Sequence, residues 1–403
     1  MATPENSPPP PAGRPPAATD DEATEDRPAA RTADSAGTLT RHIDLLDRQP
    51  IIQAPPLESL APGFDSRSEL GVMVSLASGI LPPEVERSIS EVGGGLSDSA
   101  LDRMQRDARF RLPRRQVRHI LRDFCGDVDA VKKLAPHTMV IVAHQDDESI
   151  GMGGQISRLE NVTVVHVTNG APRSAAYARR FGFDHPDDYA TARRREALNA
   201  MRLAGVAPER MLCLGIQDGE ADKHMVHMSY LIAELIESLQ PDVVVTHPYE
   251  GGHTDHDSIS LAVQLACVLL RREGVAIPAV LELTSYYNQG GTRAVAQFLP
   301  FGPRDDARTL ALPDRLRLLK AEMYRCFKTQ QECLATFPTG LERFRPAPRY
   351  NYTKPPHDGP LDYERLTNHQ LSGEAWRRRA YDALQHIRSG SSRPMPARIS
   401  AGA

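Results

Sequence analysis

Met139-Val140-Ile141-Val142-Ala143-His144-Gln145-Asp146-Asp147-Glu148 is the stretch that decides the fold. Its apolar half reads as a buried strand, and the run stops abruptly in one imidazole and three carboxylates. A second apolar run, over 243–246, leads into Thr246-His247-Pro248-Tyr249-Glu250-Gly251-Gly252 and then His253-Thr254-Asp255-His256. Further β-like runs over 162–167, 211–214 and 280–284 alternate with segments of helical period over 151–159, 191–203, 224–239 and 256–271. Alternation of this kind implies an α/β fold, a Rossmann-like and mainly parallel sheet with helices on both faces. In such sheets ligands bind beyond the carboxyl ends of the strands, where both polar clusters lie.

The chemistry of the two clusters is that of a metal site. Zinc takes nitrogen from His and oxygen from Asp, and a catalytic site commonly keeps three protein ligands and a position for water. His144, Asp147 and His256 can supply those three. Asp146, His253 and Asp255 then have the chemistry of a base, an acid and an orienting partner. Asp255 is expected to hydrogen-bond a ring nitrogen of His253, fixing its tautomer and favouring the imidazolium. The competing reading of Asp146, Asp147 and Glu148 is a helix cap, worth about 0.3–1 kcal/mol per anion in a first turn. The second cluster tips the balance toward metal.

Other candidates read differently. Gly151, Gly153 and Gly154 resemble a phosphate loop, but carboxylates beside a helix N-terminus repel phosphate, so close helix packing is the better account. His247, His185 and His166 are further candidate ligands. His166 falls inside an apolar strand and is expected to be a hydrogen-bonded core residue; His185 follows no strand and reads as a loop feature.

Bulk properties bound the rest. The chain has 403 residues with 48 basic and 52 acidic side chains, a net −4, which exerts no general pull on nucleic acid or anionic membrane. The runs Arg193-Arg194-Arg195 and Arg377-Arg378-Arg379 lie in helix-like sequence and read as solvated helical faces. Five cysteines without paired short spacing suit a reducing compartment, and no stretch is apolar enough to span a bilayer, so a cytoplasmic protein is expected. Residues 1–37 are rich in Pro, Ala and small polar side chains and are expected to be disordered; 389–403 are expected to form a flexible tail. A mostly helical lead-in is expected over 38–135, with helices over 100–109 and 116–133, packing on a core of 136–290. Beyond it, 291–388 reads as an extension completing the domain: one long helix over 313–334, then irregular coil rich in Pro, Arg and Tyr over 344–350 and 355–360.

At these motifs the chain resembles the LmbE-like or PIG-L family of zinc-dependent N-deacetylases, whose signatures are Ala-His-Pro-Asp-Asp-Glu and a later His-Pro-Asp-His. The resemblance extends over 138–287 and includes Val167-Thr168-Asn169-Gly170 and Arg195-Glu196-Ala197. It implies one zinc ion, with ferrous iron as an alternative, on His144, Asp147 and His256, with Asp146 as general base and His253 oriented by Asp255 as acid or oxyanion stabiliser. Gln145 and Thr254 stand where the family has prolines, and Gly251 where some members have a tyrosine near the carbonyl.

The activity implied is hydrolysis of an N-acyl group, foremost N-acetyl, on a small amino-sugar substrate or glycoconjugate by zinc-activated water, with no nucleic-acid partner. Alternatives are an amidase acting on larger conjugates and a non-catalytic metal- or sugar-binding module. Phosphoester hydrolysis would need further ligands, such as His185 or His247, for a second metal. Arg173, Arg343 and Arg345 are candidates for contact with sugar hydroxyls or a substrate anion. Oligomeric state is not read from the sequence.

Overall fold

A computed structural model of the chain describes residues 114–129, 134–301, 306–365 and 371–390. The expected disordered tail, the helix over 100–109 and nearly all of 389–403 lie outside the described residues, as does most of the lead-in. Its one described helix, α1 (Arg114–Phe124), is shorter than expected and inserts Leu121 and Phe124 into the core. The Phe124 ring meets Phe344 edge-on at 5.2 Å.

The order that follows is β1 (Thr138–Val142), α2 (Asp147–Ile156), β2 (Val162–Thr168), α3 (Ala175–Arg180), α4 (Pro186–Leu203), β3 (Met211–Ile216), α5 (Met225–Leu239), β4 (Val243–Thr246), α6 (Thr254–Arg272) and β5 (Ala279–Leu283). A two-stranded hairpin, β6 (Tyr286–Gln289) and β7 (Thr292–Val295), is succeeded by β8 (Arg308–Ala311), α7 (Asp314–Cys326), α8 (Gln331–Leu334), β9 (Leu341–Pro346) and α9 (Gly373–Ser389). The main sheet runs β3-β2-β1-β4-β5-β9-β8, parallel from β3 to β5 and antiparallel beyond.

Strand periodicity explains why both faces are covered. Met139 and Ile141 join a core built with α5, α6 and α9, while Val140 and Val142 join a second core with α1, α2, α4 and α7. Each such side chain contributes about 1.5–3 kcal/mol on burial. Helix α5 shows the matching pattern, burying Met225, Met228, Ile232, Leu235, Ile236 and Leu239 on one stripe. Fully buried Trp376 of α9 donates its Nε1–H to Ser258 Oγ (2.9 Å), tying α9 to α6.

Two expectations for the extension fail for physical reasons. The coil expected from Phe344 is part of β9, because Glu342 and Arg345, which hide the strand's pattern, are buried in ion pairs. The long helix stops at Cys326: the chain turns so that Thr329 N–H and Oγ1–H donate to Glu196 (3.0 and 2.6 Å) and Gln330 Nε2–H to Tyr189 (2.7 Å). The glycines of α2 do serve packing. A Cβ at Gly151 would lie 2.6 Å from Leu283, and one at Gly154 2.8 Å from Leu312.

Successive strands are added on one side of β1 up to β3, and the chain then returns to add β4 and β5 on the other side. Loops leaving β1 and β4 therefore diverge, and the crevice between them lies at this reversal. Its wall depends on Gly252, where a Cβ would fall 2.0 Å from the Tyr286 carbonyl oxygen. The oxygen is backbone and a Cβ is placed by its own backbone, so no rotamer relieves the clash. Gly252→Ala is expected to lose about 1–3 kcal/mol. Chemical denaturation checks this, and unchanged stability would contradict the close approach.

Candidate metal centre

Residues from three strand ends, those of β1, β3 and β4, meet in the crevice. His144 and Asp147 leave β1, and His247, His253 and His256 follow β4. Asp147 curls back to accept the His144 N–H at 2.7 Å. Its Oδ2 lies 3.3 Å from His144 Nδ1 and its Oδ1 3.3 Å from His256 Nε2, and the two ring nitrogens are 3.4 Å apart. Among the described residues, three sets of donors lie within 4.8 Å of one another: His144, His253 and His256; Asp147, His247 and His256; and His144, Asp218, His253 and Asp255. This His/Asp cluster can coordinate a divalent metal ion.

The electrostatics fit such an ion. Asp146, Asp147, Asp218 and Asp255 surround the site, with Arg193 reaching Asp146 at 3.1 Å and Asp218 at 4.0 Å. Burial pushes Asp146 up to about 6, against the opposing pull of Arg193. Burial alone would lower His144, yet Asp218, Asp147 and Asp255 hold it well above the usual imidazole range. Burial would likewise raise Asp147, but His256 and His247 hold it well below the carboxylate range. Buried carboxylates in excess of cations are costly, and a shared divalent ion offsets that cost.

The structure gives Asp255 further partners beside His253. Its Oδ2 lies 3.2 Å from His144 Nε2 and accepts Gly219 N–H at 2.7 Å, while Oδ1 accepts Ala221 N–H at 3.0 Å. Oδ2 also pairs with His253 Nδ1 at 3.9 Å, and that nitrogen accepts the Asp255 backbone N–H at 3.2 Å. An accepting Nδ1 places the proton of a neutral ring on Nε2. Thus backbone orients His253, as N-cap of α6, and the carboxylate orients His144.

The remaining candidates are placed as follows. His247 Nε2 accepts Ala143 N–H at 3.0 Å, its ring stacks on His256 at 3.9 Å, and burial, with His256 beside it, pushes it down to about 4. His166 pairs with Glu148 at 2.9 Å within the core, and exposed His185 only precedes α4. Arg173 pairs with Glu220 on the rim of the loop that holds Asp255. Arg343 stands opposite Thr309 in the sheet. Arg345 is buried against Glu250 (3.0 Å), Glu282 (2.8 Å) and the Phe298 ring, so its guanidinium is engaged within the fold. Gln145 uses its Nε2–H to bind Thr168 O at 2.8 Å, tying the end of β1 to that of β2.

Sequence reasoning missed three residues. Arg193 was expected on a solvated face, as Arg194 and Arg195 are, but it is buried and also donates to Gly170 O and Gln145 O. Its spacing to Ala197 and Ala200, four and seven residues on, is the apolar stripe of α4 and carried that signal. Asp218, just beyond the end of β3, obeys the strand-end rule that found the other two clusters. Tyr286, whose ring meets His256 at 5.6 Å, had no marker beyond its strand.

The PIG-L family, described as GlcNAc-PI de-N-acetylase, matches residues 139–267, which run from β1 into α6 and hold both clusters. A probable N-acetyl-alpha-D-glucosaminyl L-malate deacetylase 2 of Bacillus subtilis (strain 168) is 29% identical over 34% of this chain and 63% of its own length. A 1D-myo-inositol 2-acetamido-2-deoxy-alpha-D-glucopyranoside deacetylase of Mycobacterium sp. (strain KMS) is 29% identical over 32% of this chain and 49% of its own. The chain thus spans about half to two thirds of the length of these curated relatives. Among solved structures, the A40926 pseudoaglycone deacetylase is 21% identical over 54% of this chain and 98% of its own, with a TM-score of 0.40. Among the described residues no helix is long and apolar enough to cross a membrane, and none of the five cysteines is in a disulfide.

The position of Asp255 makes a prediction. A carboxylate on the far nitrogen of a ligating imidazole fixes its tautomer and direction, and its loss typically costs 10–100-fold in metal affinity. Asp255→Asn is therefore expected to weaken zinc binding by roughly that factor, read by chelator competition. Parent-like affinity would dissociate Asp255 from His144.

Proposed function

We propose that the protein hydrolyses the N-acyl amide, foremost the N-acetyl amide, of an amino-sugar substrate, using a divalent metal held by His144, Asp147 and His256. The observation that carries this reading is the convergence of those three side chains at 3.3–3.4 Å beside a buried carboxylate, Asp146, whose ion-pair partner is Arg193. The substrate class rests on similarity: the family description and the curated relatives name acetamido sugars. Zinc is the ion best matched to imidazole and carboxylate donors, and ferrous iron suits the same set.

When bound, the ion polarises the acyl oxygen and lowers the pKa of water from 15.7 to about 7. Every remaining part of the mechanism falls to the chain. Asp146 takes the proton from water as the water attacks the acyl carbon, and Arg193 at 3.1 Å keeps the carboxylate turned toward the crevice. His253 presents Nε2–H because its Nδ1 is occupied by the Asp255 N–H, so it can donate a hydrogen bond to the developing oxyanion, while Asp146 returns the proton it took from water to the departing amine. Asp255 and the loop carrying Gly219 and Ala221 hold the His144 ring.

Three measurements test the proposal together. Acetate release should appear with an N-acetylglucosamine derivative or conjugate and vanish on chelation, returning with added zinc. Asp146→Asn should keep its metal and lose about 10²–10⁴ of kcat, the usual worth of a general base. His256→Ala should lose the metal itself. Metal content measured beside rate decides the roles: metal lost in the Asp146 variant, or fully retained in the His256 variant, would overturn the assignment. A well-bound metal with no hydrolysis of any N-acyl sugar would overturn the activity.

A further inference from the structure

Helix α2, which opens with Asp147, is bent. At Met152 the backbone swings to φ −153°, ψ 26°, separating the turn that carries Asp147 from the turn that ends at Ile156. Backbone polar groups flanking such a bend need partners when buried. Two charged side chains from the extension supply them. Lys320 Nζ of α7 donates to Ile150 O at 2.8 Å and to Glu342 Oε1 at 3.0 Å. Glu342 of β9 accepts Gly154 N–H on Oε1 at 2.7 Å and Gln155 N–H on Oε2 at 3.0 Å. The atoms Ile150 O, Lys320 Nζ, Glu342 Oε1 and Gly154 N thus bridge the bend.

Both side chains are wholly buried. The glycines of α2 admit them: a Cβ at Gly154 would lie 3.4 Å from Glu342 Oε1, and one at Gly153 3.4 Å from Lys320 Cγ. Buried ion pairs are poor devices for stability, since apolar residues of the same volume are often as good or better. An apolar pair, however, cannot hold a carbonyl on one side of a bend and two N–H groups on the other. What this pair contributes that a hydrocarbon cannot is the angle of the helix.

We propose that Lys320 and Glu342 are positioning residues for the metal centre. They set the bend of α2 and thereby the place of Asp147 against His144 and His256. The inference rests on the metal reading above and extends it beyond 139–267, so that the carboxyl-terminal extension becomes part of the centre.

The test separates position from stability. Zinc affinity by chelator competition, the visible spectrum of the cobalt(II)-loaded protein and the melting temperature of the metal-free protein are measured for the parent, Glu342→Gln and the double variant Lys320→Met with Glu342→Leu. The double variant leaves no unpaired buried charge but strips Ile150 O and the Gly154 and Gln155 N–H groups of these partners; it is expected to stay folded with a lowered melting temperature and to bind zinc at least tenfold more weakly with an altered cobalt spectrum. Glu342→Gln, nearly isosteric, keeps one acceptor and sets an amide N–H₂ against the other backbone donor; its zinc affinity is expected to fall several-fold. Parent-like affinity and cobalt spectrum in either folded variant would overturn the proposal. A parent protein that takes up neither ion would instead sink the metal reading, and this one with it.

Discussion

Everything in the crevice answers to one constraint: four carboxylates are packed together, three around the His144 imidazole and one on Arg193. Asp147, Asp218 and Asp255 each approach a ring nitrogen of His144 within 3.3 Å, and Asp146 stands beside them on Arg193. Such an assembly is tolerable in a fold only where hydrogen bonds and a compensating charge are fixed in advance. The fold fixes them by secondary structure. Gly219 and Ala221 N–H groups hold Asp255, the His144 N–H holds Asp147, and the backbone N–H of Asp255 holds His253. Since these donors are main-chain atoms at strand and helix ends, the charge cluster is as rigid as the sheet behind it.

The two ring nitrogens of His144 divide the site into two sides. Nδ1 faces Asp147 and His256, while Nε2 faces Asp218 and Asp255. With a metal on the first side, the second side holds the remaining proton and keeps the ring from turning, the arrangement that raises the basicity of a ligating histidine. The sequence-based expectation gave Asp255 to His253 alone; the start of α6 also turns that carboxylate toward His144 and the loop after β3.

Those outcomes mark what was legible in the chain. Apolar runs that end in polar clusters announced β1 and β4, and alternation with helical segments announced the parallel sheet. Both signals are strong because burial on two faces leaves little choice of residue. Arg193 was illegible by composition, since a basic triplet on a helix reads as solvent-facing, yet legible by spacing, because it falls on the stripe with Ala197 and Ala200. Partner choice within the site was not legible at all: which carboxylate meets which nitrogen depends on loop paths between β3 and α5 that no local pattern encodes.

The extension shows why hydrophobic pattern alone under-reads a fold. Lys320, Glu342 and Arg345 are charged, and on composition each belongs outside; all three are buried because each finds an opposite charge and a backbone group on another element. Arg345 joins β9 to Glu282 of β5 and to Glu250 in the loop before the metal cluster, and Lys320 with Glu342 joins α7 and β9 to α2. Two ion networks therefore connect the last parallel strand and its antiparallel neighbour to the two motifs that build the crevice. Apolar packing would have filled the same space without selecting those connections, since dispersion contacts carry no direction. Charge inside this protein acts as a specification of geometry, and the metal cluster is the place where that geometry is read out.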